Sequence, residues 1–135
     1  MFLPDPDLPA EILLVEDDPA LARSLAVVLR RDGYQVVHAP HGRAAIHLIA
    51  RHRVVLVISD IFMPGGDGLE LLNFLRRIKP RPPIMAMSGA GDSRLGNMLK
   101  IAGDLGAARI LAKPFAPSQL IGLVRELIGP PALSK

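Results

Sequence analysis

The chain contains no cysteine and no tryptophan, and its aromatic residues are limited to four phenylalanines and one tyrosine among 135 residues. Without cysteine it can form neither disulfides nor thiolate metal sites, which fits a reducing cytosol. No apolar stretch approaches the roughly 18 residues that cross a bilayer, and the N-terminus lacks the basic and apolar regions of a secretory signal. We therefore expect a cytoplasmic protein with no membrane partner.

The positive charges form no single long run, although the formal net charge is +3. The basic residues fall in short groups, each near the end of a predicted helix: Arg30-Arg31, Arg51 to Arg53, Arg76-Arg77 and Lys79 to Arg81. Such positions are favourable beside the negative end of a helix dipole. A nucleic-acid patch is the alternative, but aromatic residues are few and no DNA-binding motif is present. We therefore expect no nucleic-acid partner.

Length and composition indicate one domain with a substantial core. Half of the residues are hydrophobic, so a disordered chain is not expected, and 135 residues are too few for two typical domains. Residues 1–10, with three prolines and two aspartates, predict a flexible N-terminal segment. Residues 129–135 predict a flexible C-terminal tail. The folded domain is expected to span residues 11–128.

Strand and helix patterns alternate five times between these ends. Short apolar runs rich in Val, Ile and Leu are typical of buried parallel strands, and apolar residues at helical spacing follow each run. The shorter, more polar run 34–39 indicates an edge strand. Five βα units predict an α/β fold, in which helices cover both faces of a five-stranded parallel sheet.

Polar side chains follow four of these runs, at the point where each predicted strand ends. Glu16 and Asp17 follow the first strand, and Asp60, Ser88 and Lys113 follow the third, fourth and fifth. The carboxyl ends of parallel strands share one edge of the sheet, where open α/β sheets bind ligands. We therefore expect one crevice with three carboxylates, a hydroxyl and an ammonium, a set that suits a divalent cation and a phosphoryl group.

Four motifs in this order resemble those of response-regulator receiver domains. They are Ile-Leu-Leu-Val-Glu-Asp-Asp-Pro, Ser-Asp-Ile-Phe-Met-Pro-Gly-Gly-Asp-Gly, Met-Ser-Gly and Leu-Ala-Lys-Pro-Phe. Each motif is weak alone, but four in the right order at strand ends make a strong signal. The resemblance covers residues 11–128 and implies a doubly wound, flavodoxin-like fold with five helices and strand order 2-1-3-4-5.

The resemblance also implies how the phosphoryl group is bound. Asp60 matches the phosphoacceptor, which receives the group from a sensor histidine kinase or a histidine phosphotransfer protein. Ser88 matches the hydroxyl that hydrogen-bonds a phosphoryl oxygen, and Lys113 matches the ammonium aimed at the same group. Similar receivers hold the peptide bond between Lys113 and Pro114 in cis. Such a domain assists its own phosphorylation without being a classical enzyme.

A metal site is implied by the same motifs. Asp17 and Asp60 match carboxylates that bind Mg²⁺ directly, the backbone carbonyl of Phe62 matches a third ligand, and Glu16 is expected to act through water. Mn²⁺ or another divalent cation can substitute. Asp18 precedes a proline in the favoured N-cap arrangement, so we assign it to the start of the first helix and not to the metal.

Three positions depart from the usual receiver pattern. Ile110 stands where receivers often have an aromatic residue that changes rotamer, so that switch is not available here. Phe62 and Ala90 stand where similar proteins carry side chains that can orient an attacking water. We therefore expect a phosphoaspartate that hydrolyses slowly.

The histidines do not predict a metal cluster. The four histidines are His38, His41, His47 and His52; they lack the i,i+4 spacing of helical metal ligands, so we expect all four to be solvated. Asp67, which precedes Gly68, is expected to cap the third helix.

Phosphorylation is expected to change the face formed by the fourth helix, the fifth strand and the fifth helix, which would contact a downstream protein. No output domain follows residue 128, so we expect either a chain that acts through protein contacts alone or a receiver fragment of a larger hybrid kinase or response regulator. An aspartate-nucleophile phosphatase is a further alternative, although Phe62 stands where such enzymes typically have a second aspartate. The intact acidic and basic set disfavours a phosphorylation-independent binding module.

Overall fold

The computed structural model describes residues 5–60, 67–88 and 109–131. Five strands and four helices lie in these ranges: β1 (Ala10–Val15), α1 (Pro19–Arg31), β2 (Val36–Ala39), α2 (Gly42–Ile49), β3 (Arg53–Asp60), α3 (Asp67–Arg77), β4 (Ile84–Ser88), β5 (Arg109–Ala112) and α4 (Pro117–Ile128). The C-terminal helix α4 is the fifth helix of the prediction, because the predicted fourth helix falls in residues 89–108, outside the described ranges. Among the described helices, none is both long enough and apolar enough to cross a membrane.

The five strands form one parallel sheet in the order β2-β1-β3-β4-β5. This confirms the predicted α/β fold and strand order, and β2 is the predicted short edge strand. The register pairs Val15 with Ser59 and Ser88 with Ala112. The residues that end or directly follow β1, β3, β4 and β5 therefore emerge together at one edge of the sheet.

Side chains that alternate between the two faces of each strand build two separate cores. In β1, Leu13 and Val15 pack with α2 and α3, whereas Ile12 and Leu14 pack with α1 and α4. All four are at most 1% exposed. Because helices cover both faces, the central strands are apolar along their length, which explains why continuous apolar runs marked them in the sequence.

Helix α1 begins where the sequence predicts. The Oδ1 atom of Asp18 accepts hydrogen bonds from the backbone N–H groups of Ala20 at 3.0 Å and Leu21 at 3.3 Å, and Pro19 occupies the first helical position. These contacts satisfy donors that would otherwise be unpaired at the start of a helix. The assignment of Asp18 as the N-cap is therefore confirmed.

The end of α4 is attached to the turn between α1 and β2. Arg125 donates three guanidinium hydrogen bonds of 2.9–3.1 Å to the carboxylate of Asp32. The hydroxyl of Tyr34 donates to the carbonyl of Gly129 at 2.6 Å. The first residues after α4, at the start of the predicted tail, are thus held against the domain.

Gly33, in the same turn, is a position where a side chain would not fit. Its φ is +104°, and a Cβ atom there would lie 2.9 Å from Cγ of Pro131. We expect Gly33→Ala to lower the free energy of unfolding by about 1–3 kcal/mol, because it combines an unfavourable backbone conformation with this clash. Urea denaturation would measure the change.

Gly122→Ala is the matched control, since a Cβ atom at Gly122 in α4 would meet nothing within 4 Å. It should raise the free energy of unfolding by about 0.5–1 kcal/mol, because alanine is the better helix former. A Gly33→Ala protein as stable as the wild type would contradict the close contact with Pro131.

Candidate functional site

Three of the predicted site residues lie side by side at the carboxyl edge of the sheet. Glu16 follows β1, Asp60 ends β3 and Lys113 follows β5. The backbone N–H of Glu16 donates to the carbonyl of Ala39 at 3.1 Å, which continues the hydrogen bonding between β1 and β2 past the end of β1. The position of Glu16 is therefore fixed by the sheet itself.

Lys113 joins the two carboxylates. Its Nζ atom lies 3.1 Å from Oε1 of Glu16 and 3.5 Å from Oδ2 of Asp60. Lys113 directly follows the edge strand β5, and its side chain reaches across the sheet edge to the last residue of β3 and to the residue after β1. The peptide bond between Lys113 and Pro114 is cis, as the resemblance implied. The distances show that Lys113, Glu16 and Asp60 meet at one edge of the sheet, as expected from the ends of the predicted strands.

Glu16 is the most buried charged group of the crevice, with 1% of its surface exposed. Its Oε2 atom accepts a hydrogen bond from the backbone N–H of Asp18 at 3.2 Å, while Oε1 accepts from Lys113. Burial raises the pKa of the Glu16 carboxyl above its ordinary value, and the neighbouring Asp17 carboxyl raises it further. The Asp18 N–H and the Lys113 ammonium offset part of this rise.

Asp17 and Asp60 are more accessible than Glu16. Asp17 is exposed, and the side chain of Asp60 is 20% exposed. The crevice therefore has a buried carboxylate at its base and two carboxylates open to solvent. An incoming ligand can reach Asp17 and Asp60 without displacing Glu16.

Ser88 is the last residue of β4, at the same edge of the sheet. It pairs in register with Ala112, the residue before Lys113, so its backbone lies where the prediction requires. Its side chain lies outside the described part of the structure, as do Phe62, Ala90 and the side chain of Asp67. The functions assigned to these four from the sequence therefore stay predictions; α3 begins at Asp67.

A divalent cation suits the donor chemistry of this crevice. The carboxylate oxygens of Glu16, Asp17 and Asp60 are hard ligands of the kind that Mg²⁺ prefers. In residues 5–60, 67–88 and 109–131, no three carboxylate or imidazole side chains converge on one metal position. The predicted set does not require three, because it uses two side chains directly, a backbone carbonyl at Phe62, and water.

The sequence interpretation missed an apolar groove beside Lys113. This groove has a volume of about 460 Å³ and runs between α1 and the start of α4. It is lined by Leu21, Ser24, Leu25, Val28, Lys113, Pro114, Phe115, Pro117 and Leu120. Helical spacing shows that one side of α1 is apolar, but it does not show that part of this side remains open to solvent.

The expectation that all four histidines are solvated is wrong for His52. Its side chain is 32% exposed, and its Nδ1 atom lies 2.7 Å from Oε1 of Glu11. His38, although exposed, has its Nε2 atom 2.8 Å from the carbonyl oxygen of Glu16. His41 accepts the backbone N–H of Ala44 at 3.2 Å and so caps α2. These partners are distant in sequence or depend on helix ends, so spacing alone did not indicate them.

The raised pKa of Glu16 predicts how the metal-free protein responds to pH. A carboxyl whose pKa is higher in the folded than in the unfolded state contributes stability at low pH, and this contribution is lost as the pH rises through the folded pKa. At pH 7, with divalent cations chelated, ionised Glu16 should therefore destabilise the fold. The neutral replacement Glu16→Gln should raise the urea midpoint at pH 7, and the difference from wild type should shrink at pH 4.

Asp7→Asn, which removes the same charge from the exposed N-terminal segment, is the control and should leave the midpoint nearly unchanged. A lower midpoint for Glu16→Gln at pH 7 would show instead that the ion pair with Lys113 outweighs the cost of burial.

Comparison with known proteins agrees with this geometry. A family model described as the response regulator receiver domain matches residues 12–125. The chain is 40% identical over 123 residues to the response regulator protein FleR of Pseudomonas aeruginosa, covering 89% of this chain and 25% of that protein. It is also 40% identical over 122 residues to the response regulator MprA of Mycolicibacterium vanbaalenii, covering 90% of this chain and 51% of that protein. The chain thus spans between a quarter and about half of these relatives.

Solved structures give the same result. The receiver domain of a sensor histidine kinase from Pseudomonas aeruginosa PAO1, with a magnesium ion coordinated in its active site cleft, is 31% identical, with a TM-score of 0.76 over 88% of this chain and 97% of that chain. A CheY-like receiver domain protein from Methanospirillum hungatei is 27% identical, with a TM-score of 0.77 over 87% and 92% of the two chains. The sheet order, the acidic crevice beside Lys113 and these matches together show that the chain belongs to the response regulator receiver domain family.

Proposed function

We propose that the domain is the phosphoacceptor of a two-component or phosphorelay system, in which Asp60 receives a phosphoryl group from a phosphohistidine of a sensor kinase or phosphotransfer protein. The observation that carries this proposal is the position of the Lys113 ammonium, 3.1 Å from Glu16 and 3.5 Å from Asp60. A positive charge held at this point can offset the negative charge of a group transferred to Asp60. Membership of the family supports the same assignment.

The chemistry of the transfer requires this charge. An Oδ atom of Asp60 forms a bond to phosphorus while the bond between phosphorus and the histidine nitrogen of the donor breaks. Two anionic groups must approach each other in this step, so Lys113 lowers the barrier by attracting the phosphoryl oxygens. Once Asp60 is modified, its oxygen is no longer a free carboxylate, and Lys113 can exchange that partner for the phosphoryl group while it keeps Glu16.

Bound magnesium would supply further neutralisation of the phosphoryl charge. We propose that Asp17, Asp60 and the carbonyl of Phe62 would hold it, with Glu16 acting through water. The solvent exposure of Asp17 and the partial exposure of Asp60 support this division, because Glu16 is the carboxylate with the least access to solvent. Glu16 would hold the ammonium of Lys113 in place.

The site of modification is tested by intact mass after incubation with acetyl phosphate and Mg²⁺. The wild type should gain one phosphoryl group, and Asp60→Asn should gain none, because the amide is not a nucleophile toward phosphorus. Asp18→Asn is the matched control: it changes a neighbouring aspartate that caps α1 and should still be labelled.

Labelling that persists in Asp60→Asn would place the acceptor elsewhere and overturn the proposal. A phosphatase assay with a chromogenic phosphate ester distinguishes a receiver from the alternative, an aspartate-nucleophile phosphatase. Catalytic turnover of that ester that disappears in Asp60→Asn would favour the phosphatase over the receiver.

A protein donor must bind next to Asp60, and the apolar groove beside Lys113 is suitably placed for it. Lys113 itself lines the groove, and the other lining residues are apolar apart from Ser24. A helix of the donor could bury apolar side chains there while its phosphohistidine reaches Asp60. We therefore propose that the donor docks on α1 and on the segment between β5 and α4.

This docking is tested with Leu21→Asp and any phosphorylated histidine kinase that labels the wild type. A charge in the groove should lower kcat/KM for transfer from the kinase by about tenfold or more, because it is buried against the donor without a partner. Labelling by acetyl phosphate, which needs no docking surface, should be unchanged.

Val27→Asp is the matched control on the same helix, because Val27 is 43% exposed and does not line the groove. It should support transfer from the kinase at nearly the wild-type rate. Equal losses in both variants, or an equal loss with acetyl phosphate, would contradict docking in the groove.

The output of the domain is proposed to be a change in protein contacts. β5 and α4 together line a shallow hollow of about 430 Å³ that includes Ile110, Gln119 and Leu123. This surface adjoins the site, because Lys113 directly follows β5. The predicted fourth helix, which would complete the face, falls outside the described residues. Since the chain spans only part of its relatives' length, a receiver within a larger regulator or hybrid kinase remains the second candidate.

A further inference from the structure

The basic residues that are separated in sequence come together at the amino edge of the sheet. Each βα unit runs up a strand and back down a helix, so the ends of the helices and the starts of the strands lie opposite Asp60. Near the ends of α2 and α3 this edge has five basic residues, which we call the basic edge: Arg51, Arg53, Arg77, Lys79 and Arg81. Arg53 is half-buried and lines a hollow with Pro9, Tyr34 and Pro131, whereas the other four are exposed.

Two contacts place the segments that carry these residues next to each other. The strands β3 and β4 are parallel neighbours, and the N–H of Val57 donates to the carbonyl of Pro83 at 3.0 Å. The segments 51–53 and 79–81 therefore enter the sheet side by side. The preceding helices, α2 and α3, also pack against each other.

The helix dipole explains only part of this charge. Its effect is confined to the last turn of a helix, and Arg77 is in the last turn of α3. Arg53, however, begins β3, and Lys79 and Arg81 lie in the connection to β4. The dipole therefore gives no reason for three of the five cations.

The charge of the basic edge is also not neutralised within the described part of the chain. None of its five residues forms an ion pair with a described carboxylate. Glu11, which pairs in register with Val54 near the start of β3, is instead bound to His52. The basic edge is thus available to an anionic partner.

We propose that the basic edge binds the sugar-phosphate backbone of duplex nucleic acid, without reading its sequence. Four of its five residues are arginines, whose planar guanidinium groups bind phosphate oxygens in pairs. Residues 76–81, Arg-Arg-Ile-Lys-Pro-Arg, resemble the short basic segments typical of nucleic-acid surfaces. The expectation of no nucleic-acid partner relied on the small number of aromatic residues and on the lack of a DNA-binding motif, and neither is needed by a surface that contacts only the sugar-phosphate backbone.

Other polyanions fit the surface less well. Binding of single strands uses aromatic side chains on which bases stack, but Tyr34 is buried and Phe74 packs against the core. Peripheral membrane binding usually adds exposed apolar side chains to the cations. In the described part of the chain the large exposed apolar residues are Leu8 and Val27; Val27 lies on α1, so Leu8 is the single such side chain at the amino edge.

The test is fluorescence anisotropy of the full chain with a labelled DNA duplex of arbitrary sequence. With three to five phosphate contacts, the dissociation constant should rise roughly 40- to 500-fold between 50 and 200 mM salt. The single strand of the same length should bind more weakly. Asp60→Asn should bind the duplex like the wild type, so this proposal stands or falls separately from the phosphoacceptor function.

Two double variants with the same change in net charge locate the binding surface. Arg77→Glu with Arg81→Glu should lower the affinity at low salt by about tenfold or more and reduce the salt slope by about 2. Arg23→Glu with Arg43→Glu, in exposed positions of α1 and α2, should have a much smaller effect. Circular dichroism would verify that both fold.

Several outcomes would overturn the proposal. No binding of the duplex at 50 mM salt would exclude the basic edge as a nucleic-acid surface. Equal losses of affinity in the two double variants would show that binding follows the net charge of the protein and not the basic edge. Tighter binding to phosphatidylserine vesicles, or equally effective displacement of the duplex by polyglutamate, would assign the basic edge to a membrane or to an acidic peptide.

Discussion

Negative charge concentrated at the end of a parallel sheet has to be offset, and in this domain the Lys113 ammonium does so. Glu16 is almost completely buried, and an unpaired carboxylate in that position would be costly. The ammonium that neutralises it comes from the opposite edge strand and also contacts Asp60. The order of the strands, the burial of Glu16 and the position of Asp60 are therefore linked through one side chain.

The same residue connects the stability of the domain with its chemistry. If Lys113 only neutralised Glu16, both residues could be replaced together by apolar residues of similar size with little loss of stability. If Lys113 also takes part in the proposed transfer, it cannot be replaced in this way, which would give a physical reason for a lysine at this position. The crevice would then keep a less stable arrangement for the sake of the proposed function.

Much of the fold could be predicted because its determinants are local or follow from general topology. Buried parallel strands give continuous apolar runs, Asp18 caps α1 through contacts with the next turn, and parallel strand ends meet at one edge. The contacts that the sequence did not indicate join residues that are far apart along the chain. Examples are the hydrogen bond from Tyr34 to Gly129 and the contact of the His52 ring with the Glu11 carboxylate.

The open groove along α1 escaped prediction for a different reason. A helical stripe shows which side chains are apolar, but it does not show how far the neighbouring helix covers them. That depends on where α4 begins relative to α1, and therefore on the path of the segment that follows Lys113. The charged residues of the crevice could be named from the sequence. The extent to which their apolar neighbours are buried could be determined only from the structure.

The attachment of α4 to the turn between α1 and β2 also determines where the two ends of the domain lie. Pro9, just before β1, and Pro131, just after α4, line the same hollow of about 470 Å³ at the amino edge. Anything fused before or after the folded unit would therefore depart from the side remote from Asp60. A tether of either kind would leave the crevice open to a partner that approaches from the opposite side.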